Sequence, residues 1–167
     1  MNYSLRYPSP IGELLIVSDG KTITGLWIDS QKYYGAGLKD MPPEGNGLSV
    51  FRQAAKWLDD YFAGDRPEIG DLPLAPEGSG FRKTVWRLLC EIPYGELTTY
   101  GELARKTAVL LNRPAMSAQA IGGAVGHNPI GIIIPCHRVI GSDGSLTGYA
   151  GGLDKKRWLL EHEGHRF

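Results

Sequence analysis

The stretch Asn128-Pro129-Ile130-Gly131-Ile132-Ile133-Ile134-Pro135-Cys136-His137-Arg138-Val139-Ile140-Gly141 holds the residue types best suited to covalent chemistry in this chain. An apolar run ends at a proline, and a cysteine follows at once. Runs of that kind are buried, and Pro135 stiffens the exit, so Cys136 is expected at a fixed place on the rim of a core. A thiol with a pKa of about 8.5 is mostly protonated at neutral pH. It becomes a nucleophile when a base or a positive charge lies close, and His137 and Arg138 come next in the chain. Adjacency alone does not bring side chains together, and a lone cysteine is most often a small buried hydrophobe. On these residues alone, packing and nucleophilic attack both stay open for Cys136. A second stretch, Gly148-Tyr149-Ala150-Gly151-Gly152, sets three glycines around an aromatic residue. It fits a loop whose backbone approaches a planar ligand closely better than it fits a flexible solvent loop.

The elements that must hold these residues fall into two sets. Leu14 to Val17 and Ile23 to Ile28 read as strands joined by the turn Ser18-Asp19-Gly20-Lys21, a hairpin. Residues 38–47 read as loop. Residues 49–62 carry apolar residues at helical spacing and end at Gly64. The Gly- and Pro-rich stretch 63–80 marks a domain boundary, with a short strand expected around 69–74. We therefore expect domains at 1–79 and 80–167. The second is mainly helical, with helices near 83–91, 100–107, 118–126 and 154–163. Thr98 or Thr99, Ser117 and Asp154 are available as N-terminal caps. The middle two helices resemble a helix-turn-helix with a long linker.

Net charge is zero, but residues 1–79 hold 7 Lys/Arg and 11 Asp/Glu, whereas residues 80–167 hold 11 and 7. The second half is mildly basic and is where a phosphate backbone could be met, although ordinary scatter of charge accounts for the same counts. No run reaches the roughly 20 apolar residues of a membrane span, and no secretory pattern opens the sequence. A cytoplasmic protein without membrane association is expected. Cys90 and Cys136 need form no disulfide, and no zinc-type ligand spacing occurs.

Pro135-Cys136-His137-Arg138-Val139-Ile140 resembles the active-site signature of the methylated-DNA–protein-cysteine methyltransferases, the O6-alkylguanine-DNA alkyltransferases. Ile92-Pro93-Tyr94-Gly95, Thr99-Tyr100-Gly101-Glu102-Leu103-Ala104, Ala120-Ile121-Gly122-Gly123-Ala124, Gly148-Tyr149-Ala150-Gly151-Gly152 and Trp158-Leu159-Leu160-Glu161-His162-Glu163-Gly164 resemble family elements in family order. Ser9-Pro10-Ile11-Gly12 does so more weakly. The resemblance implies an α/β plus α architecture. A small ribonuclease-H-like N-terminal domain with antiparallel strands precedes a helical, winged-helix-like domain. It implies repair by direct reversal: an alkyl group passes from O6-alkylguanine, with O4-alkylthymine as a candidate second substrate, to Cys136 in a single-turnover, self-inactivating step. His137 would be the base and Glu163 would orient it. Asn128 would hold the segment, and Tyr100 would approach N3 of the base. Val125, Val139, Tyr149 and Ala150 would line the pocket. The peptide N–H of Ala150 would donate to O6, and the carbonyls of Cys136 and Val139 would accept from the exocyclic amine. Thr99, Gln119, Ala120, Gly122, Gly123 and Arg138 would face double-stranded DNA in the minor groove, with the damaged base flipped out. No cofactor or metal is implied, and a monomer suffices.

Two departures stand out. Gln119 occupies a place where many members carry an arginine, which implies weaker extrusion or weaker DNA affinity. Residues 1–79 contain no Cys and no His, so the zinc site of some members cannot form there. Cys90 matches no family role and reads as structural. Three other readings compete. A non-transferring alkyltransferase-like binder would lack the acceptor cysteine. A transcription regulator would carry basic residues between Met116 and Gly126, where there are none. A cysteine peptidase would need an oxyanion hole and a peptide cleft.

Overall fold

Residues 1–167 are described by a computed structural model. Strands β1 (Tyr3–Ser9), β2 (Gly12–Ser18) and β3 (Ile23–Ile28) form an antiparallel sheet with β2 in the centre. A central strand is covered on both faces, which is why Leu14–Val17 is apolar without alternation. Leu15, Val17 and Trp27 share one face, where Tyr34 and Leu38 pack on them. Alternation leaves Leu14, Ile16, Leu26 and Ile28 for the opposite face. Helix α1 (Ser49–Phe62) lies against β1 and β2 and buries Val50, Phe51, Ala54, Trp57, Leu58 and Tyr61. Gly25 is required, because a Cβ there would stand 2.3 Å from the Trp27 ring.

Strand β1 lies outside the expected elements. The segment expected as a strand at 69–74 is a 3-10 turn at Ile69–Asp71, followed by an isolated bridge from Leu74 to Ile23.

The chain divides into two compact units, Met1–Glu77 with Pro129–Ile133, and Gly78–Asn128 with Ile134–Phe167. The first unit thus takes back five residues that a single cut at 79/80 assigns to the second. The cause is backbone pairing: the Leu26 N–H donates to Pro129 O at 2.8 Å, and the Gly131 N–H donates to Leu26 O at 3.0 Å.

In the second unit, α2 (Gly80–Cys90) starts before the expected residue 83, because the Ser79 side chain caps it by accepting from the Arg82 N–H. Strand β4 (Thr98–Thr99) leads into α3 (Tyr100–Leu110), capped by Thr99. Helix α4 (Ala118–Gly126) is capped by Ser117. A 3-10 turn at Cys136–Arg138 leads into β5 (Val139–Ile140), which pairs in parallel with β4. Helix α5 (Leu153–His162) closes the unit. It starts from Gly152 with no side-chain cap, so Asp154 lies in the first turn rather than at the cap. Helices α2, α3 and α4 pack on one another, and the Trp86 Nε1–H ties α2 to α4 through Ala124 O at 2.8 Å. No helix is long and apolar enough to cross a membrane.

Candidate active site

Two tight turns deliver Cys136. The Ile133 N–H donates to Gly131 O at 2.7 Å, closing a three-residue turn over Ile132. Ile132 sits at φ 67, a conformation that a β-branched side chain adopts only under strain. It is 1% exposed, so the surrounding packing holds it there. The Cys136 N–H then donates to Ile134 O at 2.8 Å across Pro135, whose φ of −83 and ψ of 65 suit the relaxed form of the same turn. Proline has φ fixed near the required value, so the turn comes at small entropic cost. The Asn128 Nδ2–H donates to Ile134 O at 2.8 Å and pins the segment from the other side.

Cys136 is 7% exposed. Burial pushes its thiol above the ordinary value, and the Asn128 side chain and the Lys156 charge pull the other way without prevailing. The resting sulfur is therefore a protonated thiol.

His137 is fully buried. Its Nε2 lies 2.6 Å from Glu163 Oε2. Burial lowers its pKa, and the neighbouring carboxylate only partly restores it, so the ring is neutral. A carboxylate only accepts, so Nε2 carries the proton. Nδ1 is left with a lone pair, buried and without a partner. Glu163 is also held by a cation: Arg138 Nε donates to Oε1 at 2.8 Å and Nη2 donates to Oε2 at 3.2 Å. Burial alone would raise the Glu163 pKa, but the hydrogen bonds and charges of its partners hold it well below the carboxylate range.

Arg138, expected to face DNA, is instead 5% exposed, with Nη1 donating to Ile92 O at 2.6 Å and its guanidinium over the Tyr94 ring at 5.7 Å. The physical reason is charge balance: a carboxylate buried beside a neutral imidazole needs a cation. The Gly95 N–H adds a 3.4 Å bond to Glu163 Oε1. Ile92, Tyr94 and Gly95 thus form the cradle of the ion pair, a role that no pattern in the sequence announces.

Lys156 is a further site residue, absent from the sequence-based expectations. It is fully buried, and its Nζ donates to Val139 O at 2.5 Å, Thr147 O at 2.8 Å and Gly148 O at 3.3 Å. The Tyr100 hydroxyl donates to Thr147 O at 3.1 Å, with Gly148 O also within reach at 3.3 Å. Lys156 staples the Gly-rich loop to β5, and Tyr100 ties it to the start of α3. Burial lowers the Lys156 pKa to about 8 and raises that of Tyr100 to about 12. The Tyr149 hydroxyl is buried without a partner, and burial first, then the charges of Cys136 and Glu163, push it well above the phenol range.

The family model described as 6-O-methylguanine DNA methyltransferase, DNA binding domain, matches residues 80–165, and that of the ribonuclease-like domain matches residues 2–76. A methylated-DNA–protein-cysteine methyltransferase of Haemophilus influenzae is 45% identical over 96% of this chain and 86% of its own length. The chain belongs to the 6-O-methylguanine DNA methyltransferase family. The Methanosarcina barkeri member is 44% identical over 93% of this chain and 92% of its own. The crystal structure of the Mycobacterium tuberculosis O6-methylguanine methyltransferase matches with a TM-score of 0.81 at 42% identity, covering 98% of this chain and 93% of that one. That of Mycobacterium tuberculosis OGT in complex with DNA also matches with a TM-score of 0.81, at 40% identity over 97% and 91%.

Within this family member, Cys136, His137, Glu163 and Asn128 come together, and Tyr100, Val139 and Tyr149 adjoin them through the Lys156 staple. Val125 lies in the buried face of α4 with Ile121 and Ala124, and Ala150 is half-buried in the Gly-rich loop. Gln119 and Gly123 are exposed, while Ala120 and Gly122 are half-buried. A Cβ at Gly122, Gly123 or Gly126 would meet nothing within 4 Å, so packing on a neighbour does not explain these glycines. The Thr99 hydroxyl is engaged in the α3 cap. Cys90 is a free, partly buried thiol whose pKa burial raises to about 11.

Proposed function

We propose that the protein repairs DNA by moving the alkyl group of O6-alkylguanine onto Sγ of Cys136, once and irreversibly. The observation that carries this reading is the one-sided imidazole of His137. Its Nε2–H is locked on Glu163, and its Nδ1 lone pair is open and buried next in the chain to the thiol. Nδ1 takes the thiol proton, directly or through one water, and the sulfur attacks the alkyl carbon in line. The S–C bond forms as the C–O6 bond breaks. The purine leaves as guanine and recovers one proton. Glu163 stabilises the imidazolium without itself being protonated, because Arg138 holds its charge in place. The product is a thioether, and nothing in the site can return the thiol.

The base reaches this buried sulfur only after leaving the duplex. The exposed side of α4, with Gln119 and the open positions at Gly122, Gly123 and Gly126, supports a minor-groove approach. The Val139 carbonyl already accepts from Lys156. Its second lone pair stays available to the exocyclic amine, and the Cys136 carbonyl and the Ala150 N–H complete the recognition. Tyr100 reaches N3 by giving up its bond to the loop carbonyls. A monomer acting in the cytoplasm suffices.

Intact-protein mass spectrometry after incubation with an oligonucleotide containing O6-methylguanine tests the reading. One added methyl is expected, mapping to Cys136 and absent from Cys136→Ser. Binding without added mass would overturn it.

A further inference from the structure

A groove of about 460 Å³ lies between α3 and the α3–α4 connection, away from Cys136 and walled by Ala108, Val109, Pro114, Met116 and Ala118. Its rim carries Arg105 and Arg113. Arg105 is neutralised by Glu102 in an ion pair along the helix. Arg113 is exposed, and no carboxylate lines the groove. Between Glu102 and Asp143 the chain contains no Asp or Glu at all, and this acid-free run includes the whole of α4.

The backbone presents Arg113 rigidly. Asn112 turns the chain at φ 54, in the left-handed region that asparagine tolerates. The Arg113 N–H donates to Ala108 O at 2.8 Å. Pro114 restricts the residue before it to extended conformations. Val109, in the groove wall, is 77% exposed, which leaves apolar surface open on the side of the groove that carries the guanidinium. The groove runs through Ala118 into the exposed side of α4.

We propose that this groove holds one sugar–phosphate strand of the DNA, with Arg113 on a phosphate and the apolar wall against deoxyribose. This rests on the DNA-repair reading and extends it to a second contact. Charge complementarity selects the occupant: an unpaired guanidinium in a groove whose lining holds no carboxylate, next to α4, suits a polyanion. The contact supplies sequence-independent affinity in a chain whose α4 offers the uncharged Gln119.

The test is the salt dependence of binding to a labelled duplex containing O6-methylguanine, read by fluorescence anisotropy for the full chain, Arg113→Ala and Arg113→Lys. Loss of one phosphate contact should lower the slope of log Kd against log salt by about one in Arg113→Ala, and Arg113→Lys should restore it. Affinity at low salt should fall severalfold, while methyl transfer at saturating DNA stays at the wild-type rate. A wild-type slope and affinity in Arg113→Ala, with transfer intact, would overturn the groove contact and leave the repair reading standing. A wild-type protein that neither binds nor reacts would overturn both. A concentration-dependent dimer abolished by Val109→Asp, with an unchanged slope in Arg113→Ala, would give the groove to a second copy of the chain and overturn the DNA contact.

Discussion

The interiors of the two units are built differently. In the first, the buried polar side chains are those of Ser4 and Ser18, and the rest of the core is aliphatic and aromatic. The second buries Thr107, Asn128, His137, Arg138, Lys156 and Glu163. Buried charge costs stability unless it is paired and hydrogen-bonded, and an apolar replacement of similar shape is often at least as stable. The second unit therefore holds a costly network where a cheaper core was available. Lys156 acts on the Cys136 thiol directly, and Glu163 with Arg138 acts on it through His137, which explains the cost as a requirement of chemistry.

The comparison is broken most severely at Glu163. Four donors converge on its two oxygens, from His137 Nε2, Arg138 Nε, Arg138 Nη2 and the Gly95 N–H. Glu163→Gln turns one acceptor into a donor and leaves the guanidinium without an anion, so stability should fall by about 3–5 kcal/mol. Transfer should fall with it. Because the folded pKa of Glu163 lies below the unfolded value, its contribution is present above about pH 4.5 and is lost as the pH falls below that. Chemical denaturation from pH 7 to pH 3 should show the gap between wild type and variant closing. A constant gap would contradict the ion pair.

Leu58 on α1 supplies the contrasting case. It is fully buried, and Leu58→Ala should cost about 2–5 kcal/mol through lost transfer energy and a residual cavity. At temperatures where the variant remains folded, its pH profile for transfer should match the wild type. A shifted profile would mean that the apolar unit takes part in tuning the thiol.

Lys156 separates stability from chemistry by sign. Its ammonium exists below about pH 8 and is lost above it. Between about pH 8 and 10.5 the unfolded chain holds a proton that the folded chain has released, so this group makes stability rise with pH. Transfer should fall over the same range, as the charge beside the sulfur and the full strength of the loop staple disappear. On the acid side, transfer should fall once His137 is protonated, below its ordinary pKa of about 6.5. Lys156→Met should slow transfer by about ten- to a hundredfold at pH 7 and abolish the alkaline limb. Lys156→Arg should recover part of the rate. An alkaline limb that survives in Lys156→Met would assign it to another group.

Much of the fold and site is legible in the sequence, for physical reasons that also mark where legibility stops. The turn Ser18–Lys21 and the stripe of α1 are local signals and can be read directly. Strand β1 cannot, because it is an edge strand with half-exposed residues and a proline, and carries no apolar run. Helix α3 extends past Thr107 because Val109 and Leu110 are helical yet exposed, which breaks the expected periodicity. Cys136, His137 and Glu163 come from the motif, but the inward turn of Arg138 depends on a carboxylate 25 residues away. Lys156 does leave a trace: Lys156, Leu159, Leu160 and Glu163 follow the i, i+3, i+4, i+7 spacing of a buried stripe, so two charges sit where a helix presents its core face. A charge on such a stripe is a functional signal that the amino-acid pattern carries by itself.

The smallest expected effect concerns α4, where a cost to the fold is visible without a benefit inside it. Gly122, Gly123 and Gly126 weaken a nine-residue helix, each by about 1 kcal/mol relative to alanine, and none has a neighbour that a methyl group would strike. If their purpose is close approach of DNA, Gly123→Ala should raise the melting temperature while weakening binding to a duplex containing O6-methylguanine. The stability gain should be at most about 1 kcal/mol, and both changes can be read on the same preparation. Opposite signs are the mark of a residue kept for function at a cost to the fold. A variant that is more stable and binds as well as the wild type would show that the open side of α4 does not meet DNA. The glycines would then be unexplained, and the buried network around Cys136 would need another route to its substrate.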